Sequence, residues 1–250
     1  YKRQANGTNA YTSFDVTCYT EDIPSNQVDN WARIQADRFK NCIIRGFHTE
    51  LETVYEEKNM SLTRDPRKVY ENMLAALFPH HPYGTQTVLG TQEDLKNPSI
   101  TNIKNYYKQW YVPNNMAICL SGDFDPDQMI TAIDKHFGSL QPNPNLPKLD
   151  LPKETEITAP ITREVYGPDA ESVALAWRFP GAADKDIETL QVVSQILYNG
   201  QAGLIDLDLA QQQKTLSAYC YPMTMSDYSV FTMQGRPKHC LLYTSPSPRG

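Results

Sequence analysis

The spacing of apolar residues changes along the chain from strand-like alternation to helical periodicity. Between Asn9 and Ile23 the side chains alternate, with Phe14, Val16 and Cys18 on one side and polar residues on the other. This period of two is typical of a strand. Pro24-Ser25 then opens a helix in which Ser25 is the expected N-cap. Further predicted elements are helices over about 47–62, 65–78, 99–110 and 126–137, and a buried strand over 115–121.

The second part of the chain repeats this mixture after a proline-rich interval, residues 141–160, that has almost no periodicity and is predicted to be a linker. Beyond it the pattern predicts strands near 162–166, 171–178, 216–224 and 228–234, with helices over 185–198 and 204–213. The fold class is therefore α+β, an antiparallel sheet with helices packed on one face, followed by the start of a second unit. We expect a first domain over 1–140, the linker 141–160, and a second domain beginning at 161 and running to 239.

Both ends of the sequence suggest an internal piece of a longer protein. The chain opens at Tyr1 rather than at a methionine, so the sequence gives no indication of a signal peptide or of the compartment, and bacterial periplasm and cytoplasm are both compatible with it. Residues 240–250 resemble a translated sequencing adapter and are left out of the fold prediction; the alternative is a natural Ser/Pro-rich tail.

Composition narrows the classes of partner. The 250 residues are 40% hydrophobic and 21% charged, with a net charge of −6 and no basic stripe, which argues against a nucleic-acid partner. No apolar run approaches the roughly 18 residues that a membrane span needs. The five cysteines are far apart and form no CxxC pair, so buried free thiols are expected rather than a thiolate zinc site.

The predicted helix over 47–62 carries the chemistry that stands out in the sequence. At about 100° per residue, Glu50 and Glu57 lie roughly 20° apart on one stripe, beside an apolar arc that contains Val54. Carboxylates at the border of an apolar face cost free energy unless a metal ion or a basic group meets them. Glu52 and Glu56 fall on the opposite, solvated side. An ordinary acidic helix with solvated glutamates is the alternative.

No complete catalytic motif accompanies this helix. No pair among the five histidines has the spacing of a helical zinc motif, and the chain contains no GxSxG elbow, no phosphate-binding glycine loop and no dinucleotide fingerprint.

Short motifs spread over residues 6–239 resemble the catalytic half of insulinase/pitrilysin zinc metallopeptidases. Two of them, Asn9-Ala-Tyr-Thr12 and the Glu50-x6-Glu57 helix, are fairly specific, whereas single glycines are weak signals. The other matching segments are Cys18-Tyr19, His81-Pro-Tyr-Gly84, Tyr111-Val-Pro-Asn-Asn-Met116, Ser121-Gly-Asp123, Phe137-Gly138 and Gly203-Leu204. The resemblance implies a repeated α+β domain like that of mitochondrial processing peptidase, and a metalloendopeptidase that acts on peptides or small proteins.

The resemblance also implies roles for individual residues. In this family two histidines of an inverted His-x-x-Glu-His helix and a more distant glutamate hold Zn²⁺. Glu57 matches that distal ligand, and Glu50 matches the acidic residue that supports the site and is needed for activity. Asn9 and Ala10 match the edge strand against which extended substrates lie; a plain edge-strand residue is the alternative for each.

The histidine motif itself is expected roughly 20 residues before Tyr1, so the remaining zinc ligands and the general base would lie upstream. The chain on its own is therefore expected to be inactive. The resemblance also implies pairing with a second family half, in the same chain or in another subunit. A non-catalytic member that guides substrate or serves as a scaffold is the alternative function.

Overall fold

The computed structural model describes residues 6–238, and its contacts divide the chain into two units. The first unit contains the residues up to Asn59 together with Val88–Leu151, and the second contains Met60–Thr87 together with the residues from Pro152 on. The predicted adapter segment 240–250 lies outside the described residues. The predicted domain limits near 140 and 161 remain a prediction, although the later division between units falls inside the predicted linker.

The first unit contains a two-stranded antiparallel hairpin, formed by β1 (Gly7–Thr12) and β2 (Thr17–Asp22). The hairpin is followed by helix α1 (Val28–Lys40). Helix α7 (Pro126–Phe137) packs against α1, where the rings of Trp31 and Phe137 lie 6.4 Å apart. The first unit also contains most of α2 (Phe47–Leu62), α5 (Gln92–Lys96) and α6 (Ile100–Trp110). Helices α3 (Asp65–Leu77) and α4 (Pro82–Thr85) lie between α2 and α5 in the chain but belong to the second unit.

Local capping explains where several of these helices begin. At the start of α6 the Ser99 hydroxyl accepts a hydrogen bond from Asn102 N, and at the start of α7 the Asp125 carboxylate accepts one from Gln128 N. The predicted N-cap at Ser25 is wrong. Ser25 instead begins a 3₁₀ turn, and α1 follows from Val28 without a side-chain cap.

Two predicted strands do not form. Residues 116–121 have no regular secondary structure, and Ile118 and Cys119 are exposed rather than buried. Residues 162–166 likewise have none. A strand depends on main-chain hydrogen bonds to a neighbouring strand, and neither segment is paired with one in the described part of the chain.

The second unit is built around an antiparallel sheet with the strand order β3-β5-β4. Its strands are β3 (Val173–Pro180), β4 (Thr215–Thr224) and β5 (Tyr228–Pro237), and helix α8 (Asp186–Leu197) lies between β3 and β4 in the chain. One face of the sheet packs on α8, where Leu190 meets Cys220 and Phe231. The other face meets α3, since the Tyr70 hydroxyl lies 3.4 Å from Met223 Sδ.

The α+β class is thus confirmed, and the structure adds a helix on the second face of this sheet. Among the residues that the structure describes, no helix combines the length and apolarity needed to cross a bilayer.

Candidate functional site

Helix α2 carries both candidate carboxylates on one stripe, as the sequence predicted. Glu50 lies in its first turn, where its N–H donates to the Gly46 carbonyl at 3.0 Å. Glu57 follows two turns later. Both side chains are exposed, so each carboxylate is accessible to a cation that approaches from outside the helix.

The apolar arc beside this stripe is less buried than the sequence suggested. Its members, Leu51, Val54, Tyr55 and Leu62, are only half-buried, and the buried side chain of α2 is that of Lys58. Because Glu50 and Glu57 are solvated, their ionised forms carry little desolvation cost in this structure. Contrary to the expectation from the sequence, burial does not by itself require a cation beside these two carboxylates.

The hairpin presents Asn9 and Ala10 in different directions. Ser13 N donates to Val16 O at 2.8 Å, which makes this residue pair a hydrogen-bonded one. Hydrogen-bonded and non-bonded pairs alternate along an antiparallel ladder. The main-chain groups of Asn9 therefore face β2, whereas those of Ala10 face the outer edge of the hairpin, which no other described strand covers.

The outer edge is nevertheless partly occupied, because Asn9 Oδ1 accepts a hydrogen bond from Ala10 N at 2.9 Å. An extended peptide that paired with this edge would have to displace the Asn9 side chain from that amide. Asn9 would thereby influence pairing at the edge through its own side chain.

Helix α1 fixes the orientation of the hairpin. Residues opposite each other in the ladder share a face, so Ala10 and Tyr19 lie on the same side. On this side Tyr19 stacks edge-on against Phe39 of α1 with ring centres 5.5 Å apart, and Gln35 donates to Glu21 at 2.6 Å. Asn9 belongs to the opposite face, which is exposed.

The tyrosine at this contact has altered acid–base behaviour. Burial, helped by a hydrogen bond with Tyr111, raises the pKa of Tyr19 to about 12 although the nearby Arg38 guanidinium opposes the shift. Arg38 lies over the Tyr19 ring at 4.3 Å. The hairpin is therefore held on α1 by a neutral phenol under a guanidinium.

No metal centre is complete within residues 6–238, where no group of three or more His, Cys, Asp or Glu side chains is arranged to hold an ion. Glu57 remains the candidate ligand that the sequence identified, and Glu50 the candidate supporting residue. His80 and His81 belong to a different polar cluster, in the second unit.

The centre of this second cluster is Glu154, which the sequence analysis missed because it lies in the proline-rich linker. Its side chain is 1% exposed, and its Oε1 accepts hydrogen bonds from the N–H groups of His80 and His81, each at 2.7 Å. Oε2 lies 3.1 Å from His80 Nδ1 and 3.8 Å from Arg178. Periodicity cannot reveal such a residue, but a charged Arg178 within an apolar strand is a signal of a buried partner.

The same contacts determine the ionisation of Glu154. Burial by itself would raise the pKa of its carboxyl group, but the two backbone N–H groups and the His80 ring outweigh burial and hold the pKa below its ordinary value. The buried group is therefore a carboxylate at neutral pH.

His81 is the second buried polar residue of this cluster, with 1% exposure. Its Nδ1 accepts from Tyr83 N at 3.3 Å, so in this arrangement the ring proton belongs on Nε2. Nε2 faces the Asp227 carboxylate at 3.5 Å, and Asp227 N donates to the Tyr83 hydroxyl at 3.2 Å. His81 and Tyr83 thus hold the turn between β4 and β5.

The second unit also contains a cavity of about 1010 Å³ between α8 and the end of β4. Val192, Ile196 and Leu204 contribute its apolar lining, and Glu188 is the ionisable residue in that lining. A single carboxylate among amides and aliphatic groups supplies no acid–base pair, so this cavity does not have the features of a catalytic site.

Comparison with known proteins identifies the sequence family. Residues 99–239 match the family model described as the peptidase M16 inactive domain. The match covers more than half of the chain and crosses the predicted linker.

Individual relatives agree with this match. The chain is 27% identical over 240 residues to the zinc protease PqqE of Helicobacter pylori, which covers 92% of the chain and 53% of the relative. It is 24% identical over 240 residues to the uncharacterized zinc protease YmxG of Bacillus subtilis, covering 94% of the chain and 57% of the relative. The chain thus spans little more than half the length of these relatives.

A solved structure described as a protease from Helicobacter pylori has the same fold. It superposes with a TM-score of 0.84 at 24% identity, covering 95% of the chain and 58% of that structure.

Proposed function

The chain belongs to the peptidase M16 family, and from that premise we propose that it forms part of a zinc metalloendopeptidase that hydrolyses internal bonds of peptides or small proteins. Support comes from relatives named as zinc proteases, PqqE and YmxG. Because the chain spans little more than half of their length, the activity, the substrates and the pairing with a second half are proposed for the whole protein.

The observation that carries this proposal is the placement of Glu50 and Glu57 on one exposed stripe of α2. A carboxylate that is to bind a metal supplied by another segment has to be solvent-accessible in the absence of that segment. Glu57 is proposed as the ligand, and Glu50 as the residue that positions it or stabilises the charged site. Glu52 and Glu56, on the other side of the helix, have no role in this proposal.

The donor chemistry of Glu57 fits zinc, because carboxylate oxygens are among its ordinary ligands. Zinc takes about four ligands, commonly three from the protein in a catalytic site, so Glu57 would need further ligands from outside the described residues. When bound, zinc would polarise the scissile carbonyl and lower the pKa of a bound water. We propose that this chain alone binds zinc weakly and does not cleave peptides.

The hairpin is proposed to hold the substrate. An extended peptide would pair with the outer edge of β1, accepting from and donating to the main-chain groups of Ala10 in place of the Asn9 side chain. Main-chain pairing selects for extended conformation rather than for side-chain type, which suits a peptidase that accepts varied peptides.

The test uses the full-length protein, recovered by extending the gene upstream by about 60 codons, where the inverted histidine motif is expected. Zinc content and cleavage of a quenched fluorescent peptide are measured for Glu57→Gln, Glu50→Gln and Glu56→Gln. We expect Glu57→Gln to lose zinc and at least about 100-fold in kcat/KM. Glu50→Gln should lower kcat with smaller loss of zinc, and Glu56→Gln, the matched control on the same helix, should resemble the wild type.

Unchanged zinc content and activity in Glu57→Gln would show that the ligand assignment is wrong. The second candidate function is that of a non-catalytic member that guides substrate or serves as scaffold. The family model described as an inactive domain covers residues 99–239 and not α2, so it is compatible with both candidates. A degenerate upstream motif, with either histidine or the glutamate replaced, would support this second candidate, provided that all three variants and the wild type lack activity alike.

A further inference from the structure

Residues 152–156, here called the strap, have no regular secondary structure. Pro152, Lys153, Thr155 and Glu156 are exposed, yet the side chain of Glu154 in their midst is 1% exposed. A segment without helical or sheet hydrogen bonds is held in place by its other contacts, and here those contacts centre on one residue.

Hydrogen bonds tie the strap to three parts of the second unit, and one of them joins Glu154 Oε2 to His80 Nδ1 at 3.1 Å. The Glu154 carboxylate accepts from the N–H groups of His80 and His81, which lie between α3 and α4. Glu154 N donates to the Tyr228 hydroxyl of β5 at 2.9 Å. The Arg178 guanidinium of β3 donates to the Thr155 carbonyl.

Arg178 connects these parts further. It also donates to the Leu77 carbonyl at the end of α3, and its guanidinium lies 5.9 Å from the Phe78 ring centre and 5.6 Å from that of Tyr228. With 10% of its side chain exposed, it is a largely buried cation whose nearest carboxylate is that of Glu154. Removing the negative charge would leave this cation without its counter-charge.

We propose that Glu154 is an acid-releasable latch: its ionised carboxylate holds the strap on the second unit, and neutralising it detaches the strap while the β3-β5-β4 sheet stays folded. The sheet has its own ladder of hydrogen bonds and its own core around Leu190 and Phe231, and neither depends on the strap. The proposal is independent of the proposed peptidase function.

The charged groups around the latch determine the direction of its response to pH. Arg178 and the His80 ring face the carboxylate directly, while His81 lies between the latch and Asp227. Since the pKa of Glu154 is lowered in the folded state, the latch contributes fully above its unfolded-state pKa of about 4.3. Its contribution is lost as the pH falls through the lower folded-state value.

Hydrogen exchange at three amides reports directly on the latch. These are the N–H groups of His80 and His81, which donate to Glu154, and the N–H of Glu154, which donates to Tyr228. Amides of β5 that pair with its two neighbours serve as the reference for the sheet. Exchange is measured by mass spectrometry or NMR on this chain and corrected for the intrinsic rate at each pH.

The variant Glu154→Gln imitates the neutral state at pH 7, because it removes the negative charge. Its amide nitrogen would also face Arg178 as a second donor. We expect the three reporter amides to exchange at least about tenfold faster in this variant, as the loss of charge-assisted hydrogen bonds implies, while β5 keeps its wild-type protection. Glu156→Gln, an exposed glutamate two residues along, is the matched control and should leave all rates unchanged.

The second measurement follows the wild type as the pH is lowered from about 5 to about 2, the range in which the carboxylate of Glu154 becomes protonated, and it decides the matter if Glu154→Gln does not fold. Faster exchange confined to the three reporters supports the latch. Unchanged reporter rates, or reporters and β5 losing protection together, would overturn it.

Discussion

Asp206 offers a sharp test of how the second unit is stabilised. Asp206 is 5% exposed, and its Oδ2 accepts hydrogen bonds from the N–H groups of Asn199, Gly200 and Gly203 at 3.0–3.1 Å. This carboxylate thereby closes the loop between α8 and the π-helical turn Asp206–Ala210. The substitution Asp206→Ala removes the acceptor of all three bonds at once.

The cost can be worked out from the surroundings of each amide. The N–H of Gly203 is buried, so losing a charged acceptor there costs about 1.5–3 kcal/mol. Asn199 and Gly200 are exposed and their amides can turn to water, so they add about 0.5 kcal/mol each. We therefore expect Asp206→Ala to lower the free energy of unfolding by about 2.5–4 kcal/mol, and Asp206→Asn, which keeps an acceptor oxygen, by about 1 kcal/mol.

The assay is equilibrium unfolding in urea at 25 °C, followed by the fluorescence of Trp177. This is the tryptophan of the second unit, on β3, and replacing Trp31 and Trp110 by phenylalanine leaves it as the reporter. Asp208→Ala, an exposed neighbour on the same turn, is the matched control. The reasoning is refuted if Asp206→Ala and Asp208→Ala differ by less than about 0.5 kcal/mol, the ordinary scatter of surface substitutions.

Two further predictions concern close packing and ionisation. In Gly84→Ala the new Cβ would collide with the carbonyl oxygens of Leu74 and Phe78, so we expect a loss of about 1–3 kcal/mol in denaturant unfolding, whereas Gly7→Ala, with open space around it, should be near neutral. In Tyr19→Phe the absorbance titration at 295 nm should match the wild type below about pH 11, because the missing phenol ionises above that range. Loss of one tyrosine's signal near pH 10 would contradict the raised pKa of Tyr19.

The helices could be predicted from sequence because their determinants are local. A cap such as Ser99 or Asp125 satisfies an amide three residues away, and the apolar period of 3.6 is visible in a single window. The stripe that joins Glu50 and Glu57 follows from the same geometry. The exposure of these two carboxylates does not follow from helix geometry, because the burial of a helix face depends on which other elements pack against it.

Strands and buried charges depend on partners that lie far along the chain. The apolar run 115–121 has strand-like composition but is not paired in the described part of the chain, so composition alone predicted an element that is absent. The linker around Glu154 shows the opposite error, since a stretch without periodicity contains a buried carboxylate held by residues about 74 positions before and after it.

The sequence by itself thus determined the α+β class, the helix that carries the candidate ligand Glu57, and the resemblance to zinc metallopeptidases, all of which rest on local spacing and short motifs. Only the tertiary structure decided that Glu50 and Glu57 are solvated, that Ala10 rather than Asn9 offers its main chain to the open edge, and that Glu154 is buried against Arg178. Burial and pairing free energies arise from contacts between distant segments, and a single sequence does not specify which segments meet.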